Sequence, residues 1–239
     1  FMKTLLLQRI CSSFASGRAT AERMLRRETL DDEEQTRLLD EALDALTSEE
    51  AGHLRTIVTE LSRPEARDPK LHAVRSFLID QRSDGKTWLE HGCIIFSQYY
   101  DTVHAVGTEL AQLLPGEPVG IYAGTGKSGI FRGEDFASVE REEIKAAVKQ
   151  RLIRLIVATD AACEGLNLQT LGTLINVDLP WNPSRLEQRL GRIKRFGQAR
   201  RSVDMLNLVY HETQEAGLPG AITANEGSLR HLRRPAGHH

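Results

Sequence analysis

The sequence contains only three cysteines, and their positions argue against a zinc-stabilised domain and against a disulfide-stabilised domain. Among 239 residues they occur at Cys11, Cys93 and Cys163, without the short spacing that zinc ligands show. The same scatter is unlike the dense disulfide framework of small secreted domains. We therefore expect no metal site, and we expect the protein to reside in a reducing cytoplasm.

The sequence also lacks a long apolar run and a strong excess of either charge. No apolar stretch approaches the ~20 residues that a membrane helix requires. Residues 2–7 resemble the start of a signal peptide, but Gln8 and Arg9 interrupt them at once. We expect neither export nor a membrane partner. The formal net charge of −2 means that any contact with nucleic acid depends on a local basic patch.

The first 67 residues are highly charged and show helical periodicity, within a chain whose 40% hydrophobic content supports a packed core. The acidic run 31–34 favours a helix start over a magnesium site, because no buried strand precedes it. Prolines and charges mark 62–69 as a linker. We interpret 1–67 as a charged helical connector or insertion. The start at Phe1 rather than at methionine suggests a fragment whose N-terminal partner is missing.

Residues 68–212 alternate apolar segments of strand length with amphipathic helical segments. This alternation predicts an α/β fold, a parallel sheet with helices on both faces, preceded by the charged helical segment. In such folds the chemistry gathers in loops at the carboxyl ends of the strands. Residues 213–239 have the composition of an irregular tail. The predicted strands are 93–96, 119–122, 155–158, 174–177 and 205–209.

One loop resembles a phosphate-binding P-loop but departs from that pattern. The segment 123–128 contains a Gly-Lys-Ser sequence, yet Ile121 occupies the position where the pattern requires the first glycine. No helix start follows Lys127 either, although a P-loop places its phosphates at the start of a helix. We expect a flexible loop whose Lys127 and Arg132 can contact a polyanion.

Two other loops, each taken alone, fit a functional site and an ordinary structural role about equally well. Residues 159–169 follow a buried strand and have small side chains that allow close approach of a ligand, but Asp160 would equally well cap a helix. In residues 188–198, Arg192 and Arg195 lie three apart and project from one helix face. That pair suits either phosphate recognition or an ordinary solvated basic helix.

Taken in order, these segments resemble the motifs of superfamily-two helicases. Residues 94–98 resemble motif IV, residues 159–169 motif V and residues 188–198 motif VI. Residues 178–183 resemble the segment that precedes motif VI. The ending Arg-Phe-Gly-Gln at 195–198 is typical of Snf-type proteins.

The resemblance, which covers residues 68–212, implies the C-terminal RecA-like lobe of a Snf-type helicase or translocase. In that family ATP with Mg²⁺ is bound mainly by an N-terminal RecA-like lobe, which this sequence does not show. The resemblance implies that Arg192 and Arg195 act as arginine fingers and that Gln188 couples the nucleotide to nucleic acid. The full-length protein is then an ATP hydrolase, and this chain alone is expected to be inactive. The motif V residues implied to approach the nucleotide are Glu164, Gly165 and Asn167.

The resemblance also implies a grip on the backbone of nucleic acid, preferably double-stranded DNA. The matching residues are Ser97, Gln98 and Thr159, and Lys127 joins them from the glycine-rich loop. Contacts with phosphates carry little sequence information, which suits a motor that moves along any sequence. Two alternatives stay open: a non-catalytic scaffold or regulatory domain that acts on a partner protein, and the corresponding lobe of an RNA helicase.

Overall fold

The computed structural model describes residues 2–28, 43–160, 168–180, 182–193 and 203–210. The chain divides into two compact units, unit 1 (Phe1–Asp68) and unit 2 (Pro69–His239). Each unit has its own apolar core residues.

Unit 1 is helical, as its periodicity predicts. Its helices include α1 (Met2–Ser12), α2 (Phe14–Arg26) and α3 (Ser48–Leu61). Ser13 accepts a hydrogen bond from the Ser16 amide at the start of α2. Thr47 and Glu50 form a capping box at the start of α3, so side chains satisfy amides that a helix start leaves unpaired. The acidic run 31–34 lies outside the described residues. The core contains Leu5, Leu6, Ala21, Met24, Leu43 and Leu54.

Unit 2 is built on a seven-stranded sheet in the order β6-β5-β4-β7-β3-β8-β9. Five of these strands are parallel, and β5 and β6 add an antiparallel hairpin at one edge. Every residue of β3 and β7 is buried, because central parallel strands are covered on both faces. The predicted parallel α/β sheet is confirmed. The strands are β3 (Cys93–Ser97), β4 (Val119–Tyr122), β5 (Gly129–Arg132), β6 (Asp135–Ser138), β7 (Leu155–Thr159), β8 (Thr173–Asn176) and β9 (Asp204–Asn207).

Helices cover both faces of the sheet. One face packs its apolar strand residues, such as Ile95, against α4 and α6, and the other packs residues such as Ile94 against α7 and α8. Alternate residues of one strand therefore belong to two separate cores. A small hairpin of β1 (Arg82–Ser83) and β2 (Lys86–Thr87) precedes α5. The helices are α4 (Pro69–Ile79), α5 (Trp88–His91), α6 (Tyr100–Leu113), α7 (Arg141–Lys149) and α8 (Pro183–Ile193).

The loop 123–128 differs from the flexible loop that its sequence suggests. It is a turn closed by Ser128, whose hydroxyl accepts from the Ala123 amide and donates to the Ala123 carbonyl, both at 3.1 Å. The turn leads into strand β5, which pairs antiparallel with β4. Lys127 is therefore followed by a strand, whereas a P-loop lysine opens a helix. The structure thus supports the interpretation that this is not a nucleotide P-loop.

The hairpin β5–β6 is held by two aromatic rings. Phe131 and Phe136 lie opposite each other in the register, with ring centroids 4.6 Å apart. The Phe136 ring also lies directly on Gly129, where an added Cβ would be 2.3 Å from the ring. The helix after β6 begins at Arg141, because the Val139 amide still donates to the Ser128 carbonyl of the hairpin.

Candidate functional site

The carboxyl ends of β3, β7 and β8 lie side by side at one edge of the sheet. The parallel register places Ser97 beside Thr159 and Phe96 beside Asn176. Three loops therefore start close together, as expected for an open parallel sheet. Polar residues that follow these strands are Gln98, Asp160 and Asp178.

A buried arginine of α8 connects the ends of β7 and β8. Arg189 is only 2% exposed, and its Nε and Nη2 donate to the two oxygens of Asp160 at 2.5 and 2.7 Å. Its Nη1 donates to Asn176 Oδ1 at 2.7 Å and to the Asp178 carbonyl at 2.9 Å. The guanidinium also lies over the Phe96 ring, 5.2 Å from its centroid. A buried guanidinium needs such complete pairing, because an unpaired buried charge is very costly.

Asp178 connects the same arginine with the end of β3. Its Oδ2 accepts from the Ser97 hydroxyl at 2.6 Å and its Oδ1 accepts from the Gln98 amide at 2.9 Å. Oδ1 also lies 3.8 Å from Arg189 Nη2. Since Ser97 is fully buried and also accepts from the Tyr99 amide at 3.1 Å, its hydroxyl fixes the backbone that follows β3.

The polar network extends to the edge strand β9. Asn176 Nδ2 donates to Asn207 Oδ1 at 2.7 Å, and these residues are register partners in β8 and β9. Arg189 and Asn207 thus contact the two ends of one side-chain amide. The polar network, defined here as Ser97, Asp160, Asn176, Asp178, Arg189 and Asn207, joins four strand ends to α8.

A second cluster lies where β3 and β4 end. Lys127 Nζ lies 5.1 Å from the centroid of the Tyr100 ring, within the range of a cation–π contact. Tyr100 begins α6 directly after the β3 loop. Burial, followed by the nearby Asp101 carboxylate, raises the pKa of the Tyr100 hydroxyl. Lys127 is therefore in contact with an aromatic ring and is not a freely solvated cation.

Neither a metal site nor a membrane helix occurs in the described part of the chain. There, no group of three His, Cys, Asp or Glu side chains could hold a metal ion, and no helix is long and apolar enough to cross a bilayer. Cys11 is exposed and Cys93 is buried, and both are free thiols. Burial raises the pKa of the Cys93 thiol to about 12.

The family model of the helicase conserved C-terminal domain matches residues 69–197. The chain belongs to this family. Its parallel sheet, covered by helices on both faces, is the RecA-like fold that the sequence motifs imply for residues 68–212. The predicted helicase C-terminal family and the predicted α/β fold class are thereby confirmed.

Named relatives of this helicase C-terminal domain are much longer proteins. The ATP-dependent helicase YqhH of Bacillus subtilis is 52% identical over 63 residues, which is 26% of this chain and 11% of that protein. The RNA polymerase-associated protein RapA of Vibrio cholerae is 34% identical over 85 residues, 35% of this chain and 9% of its own length. The solved helicase domain of Pyrococcus furiosus Hef is 16% identical with a TM-score of 0.46, covering 84% of this chain and 37% of that one.

In this helicase C-terminal domain, α8 carries two of the predicted catalytic residues. Gln188 is exposed and Arg192 is half-buried, and their spacing of four places them on one side of the helix. Arg189 lies between them in sequence and faces the sheet. The Arg192 carbonyl accepts from the Leu168 amide at 3.3 Å, which attaches the end of α8 to the loop after β7. Arg195, Glu164, Gly165 and Asn167 lie outside the described residues.

The four residues predicted to grip nucleic acid lie at the ends of β3, β4 and β7, but they differ in exposure. Ser97 and Thr159 are buried strand residues, with Thr159 at 7% exposure. Gln98 is half-buried, and its Nε2 donates to the Leu179 carbonyl at 3.1 Å. Lys127 is half-buried beside Tyr100. Gln98 and Lys127 are therefore the two most accessible of the four.

Sequence reasoning did not assign a site role to Arg189, Asp178 or Asn176. A signal was present, because Asn176 and Asn207 interrupt two apolar runs that otherwise read as buried strands. A polar residue within a buried strand requires a partner. Two such residues in adjacent strands, together with an arginine in a helix that follows, would have indicated a buried polar network.

Proposed function

We propose that this chain is the second motor lobe of an ATP-dependent DNA translocase or helicase of the Snf type. The observation that carries this proposal is the attachment of α8, through the buried Arg189, to the strand ends that hold Gln98 and Asp160. We propose that this assembly holds Arg192 near the loops expected to contact nucleic acid. The YqhH relative is named as an ATP-dependent helicase, which supports ATP use.

Arg192 is the described residue best suited to a phosphate across a cleft between lobes. It is half-buried near the end of α8, whereas Arg189 on the same helix is buried and hydrogen-bonded to residues at the strand ends. A guanidinium fork stabilises the charge on phosphoryl oxygens that builds up during transfer, and such a residue contributes about 10³–10⁵ in rate in related reactions. Gln188, on the same side of α8, would couple the nucleotide to nucleic acid, and Arg195 would be the second finger.

The nucleotide and its Mg²⁺ would be held mainly by another lobe. The glycine-rich loop of this chain leads into a strand, so it lacks the helix N-terminus that binds phosphates in a P-loop. The described residues also provide no metal-ligand cluster. We propose that Glu164, Gly165 and Asn167 approach the nucleotide from this side, and that this chain alone hydrolyses ATP negligibly.

The nucleic acid would run along the carboxyl edge of the sheet, against its phosphates. Gln98 and Lys127 are the accessible members of the predicted grip, and Ser97 and Thr159 fix the backbone behind them. Double-stranded DNA is the proposed substrate because the Arg-Phe-Gly-Gln ending at 195–198 is typical of Snf-type motors. We propose residues 1–67 as the connector or insertion, residues 68–212 as the lobe and residues 213–239 as a tail.

The test joins this chain to the N-terminal lobe of its own protein and measures ATP hydrolysis with and without nucleic acid. Duplex DNA, single-stranded DNA and single-stranded RNA are compared at equal nucleotide concentration, because phosphate contacts depend strongly on salt and charge. Stimulation by duplex DNA supports the proposal. Stimulation by RNA alone identifies an RNA helicase, and the absence of any stimulation favours a scaffold or regulatory domain.

A further inference from the structure

The carboxylate of Asp178 contacts both the β3 loop and α8. Its Oδ1 accepts from the Gln98 amide at 2.9 Å and lies 3.8 Å from Arg189 Nη2, while its Oδ2 accepts from the Ser97 hydroxyl. Its own carbonyl also accepts from Arg189 Nη1 at 2.9 Å. A displacement of the Gln98 backbone therefore changes the surroundings of the group that anchors α8.

The charges of the polar network make Asp178 responsive to such a displacement. Two carboxylates, Asp160 and Asp178, face the single guanidinium of Arg189. Asp160 takes the two-pronged contact with Arg189, whereas the Asp178 carboxylate accepts short hydrogen bonds from the neutral donors of Ser97 and Gln98. At 9% exposure for Asp178, water replaces lost donors poorly, and a lost hydrogen bond to a buried carboxylate is costly.

Arg189 and Arg192 belong to the same helix, so α8 connects the polar network to Arg192. Arg189 and Arg192 are three residues apart on α8, so a helix held at Arg189 carries Arg192 with it. The end of α8 is also fixed by the hydrogen bond from the Leu168 amide to the Arg192 carbonyl. A displacement of α8 at Arg189 therefore moves Arg192 as well.

We propose that Asp178 is a positioning residue that couples occupancy of the Gln98 loop by nucleic acid to the placement of Arg192. This inference rests on the proposed function. It assigns Asp178 no contact with the nucleotide or with nucleic acid. Its role is to make the stimulation of ATP hydrolysis by nucleic acid depend on the β3 loop.

The test uses the variant Asp178→Asn in the chain joined to its N-terminal lobe. The amide can still accept from the Gln98 amide and can donate to the Ser97 hydroxyl, but it has no charge for Arg189. The readout is the ratio of ATP hydrolysis at saturating duplex DNA to hydrolysis without DNA. This ratio is expected to fall by about 2- to 30-fold, the usual range for residues that carry coupling.

Two further variants separate positioning from simple loss of stability. Asn182→Ala removes the side chain that caps α8 through the Ser184 amide, which weakens the same helix without touching the polar network. Arg189→Lys keeps a cation but lacks the planar fork, and it serves as the second test if Asp178→Asn melts below the assay temperature. Melting temperatures are recorded for every variant.

A lowered ratio for Asp178→Asn and Arg189→Lys, with a parental ratio for Asn182→Ala, supports the inference. A parental ratio in folded Asp178→Asn and Arg189→Lys overturns it, and so does an equal fall in Asn182→Ala at matched melting temperature. If the parent itself shows no stimulation by any nucleic acid, the proposed function fails and this inference fails with it. Parental stimulation that survives both variants overturns only the inference.

Discussion

Arg189 Nε and Nη2 lie 2.5 and 2.7 Å from the two carboxylate oxygens of Asp160. The Arg189 side chain is almost completely buried. The pair joins α8 to Asp160, the residue that directly follows β7. Because guanidinium and carboxylate groups are both planar, two N–H···O hydrogen bonds form side by side between them. The pair thereby anchors α8 to the sheet.

Removing Asp160 should strongly destabilise unit 2. Asp160→Ala leaves the Arg189 guanidinium buried without its main partner, and breaking such a pair costs about 3–5 kcal/mol. Guanidinium chloride unfolding, followed by tryptophan fluorescence, measures the change, because Trp88 is buried in unit 2. The matched control is Glu142→Gln, which breaks the exposed pair with Lys145 and should cost at most about 1 kcal/mol. Equal effects of both variants would contradict the structural account.

Replacing Arg192 should remove hydrolysis and spare nucleotide binding. In the chain joined to its N-terminal lobe, Arg192→Ala is expected to lower the DNA-stimulated hydrolysis rate by about 10³-fold or more, since the residue is proposed to stabilise charge only during phosphoryl transfer. Arg195→Ala should act alike. Arg185→Ala is the control, because Arg185 is an exposed arginine in the first turn of the same helix. A normal rate in Arg192→Ala would exclude the finger role.

The two described cysteines should differ sharply in reactivity. The Cys93 thiol has a pKa of about 12 because of its burial, so at pH 8 only roughly one part in ten thousand is thiolate. Cys11 is exposed and should react with a disulfide reagent within minutes, whereas Cys93 should react only after unfolding. Labelling is measured in a Cys163→Ser background. Rapid labelling of two thiols in the folded protein at pH 8 would contradict this arrangement.

The hairpin at the sheet edge should be sensitive to one methyl group. In Gly129→Ala the new Cβ would lie 2.3 Å from the Phe136 ring and 2.6 Å from the Ala137 carbonyl. Displacing the ring and the strand should cost about 1–3 kcal/mol. Gly124→Ala, in the preceding turn, meets no atom within 4 Å and should change the free energy of unfolding little. Denaturant unfolding of the two variants distinguishes the sites.

Much of the sheet was predictable because its strands are buried on both faces. The apolar runs at 93–96 and 155–158 coincide with β3 and β7. The predicted strand at 174–177 is displaced by one residue from β8, which begins at Thr173. Thr173 is polar but belongs to the strand, since its hydroxyl donates to the Gly92 carbonyl at 2.9 Å. A pattern of apolar residues cannot identify a polar residue as part of a strand.

The features that sequence reasoning missed depend on contacts between distant segments. Strand β6 is exposed at all four positions, so it offers no apolar pattern, and only the pairing of Phe131 with Phe136 shows why it forms. The two-pronged contact of Arg189 spans 29 residues to Asp160. Family motifs identified the helix that carries Arg189 but directed attention to Arg192 and Arg195. The contacts of Arg189 with the sheet depend on three-dimensional packing, which the motifs do not describe.

The position of β3 in the sheet has a mechanical consequence. It is hydrogen-bonded along its length to β7 on one side and β8 on the other, and its side chains fill two cores. A force applied at Gln98 is therefore distributed over the whole sheet and cannot stretch one strand alone. The strands of the described part of unit 2 should therefore behave as a stiff plate under load, against which the β3 loop and α8 shift.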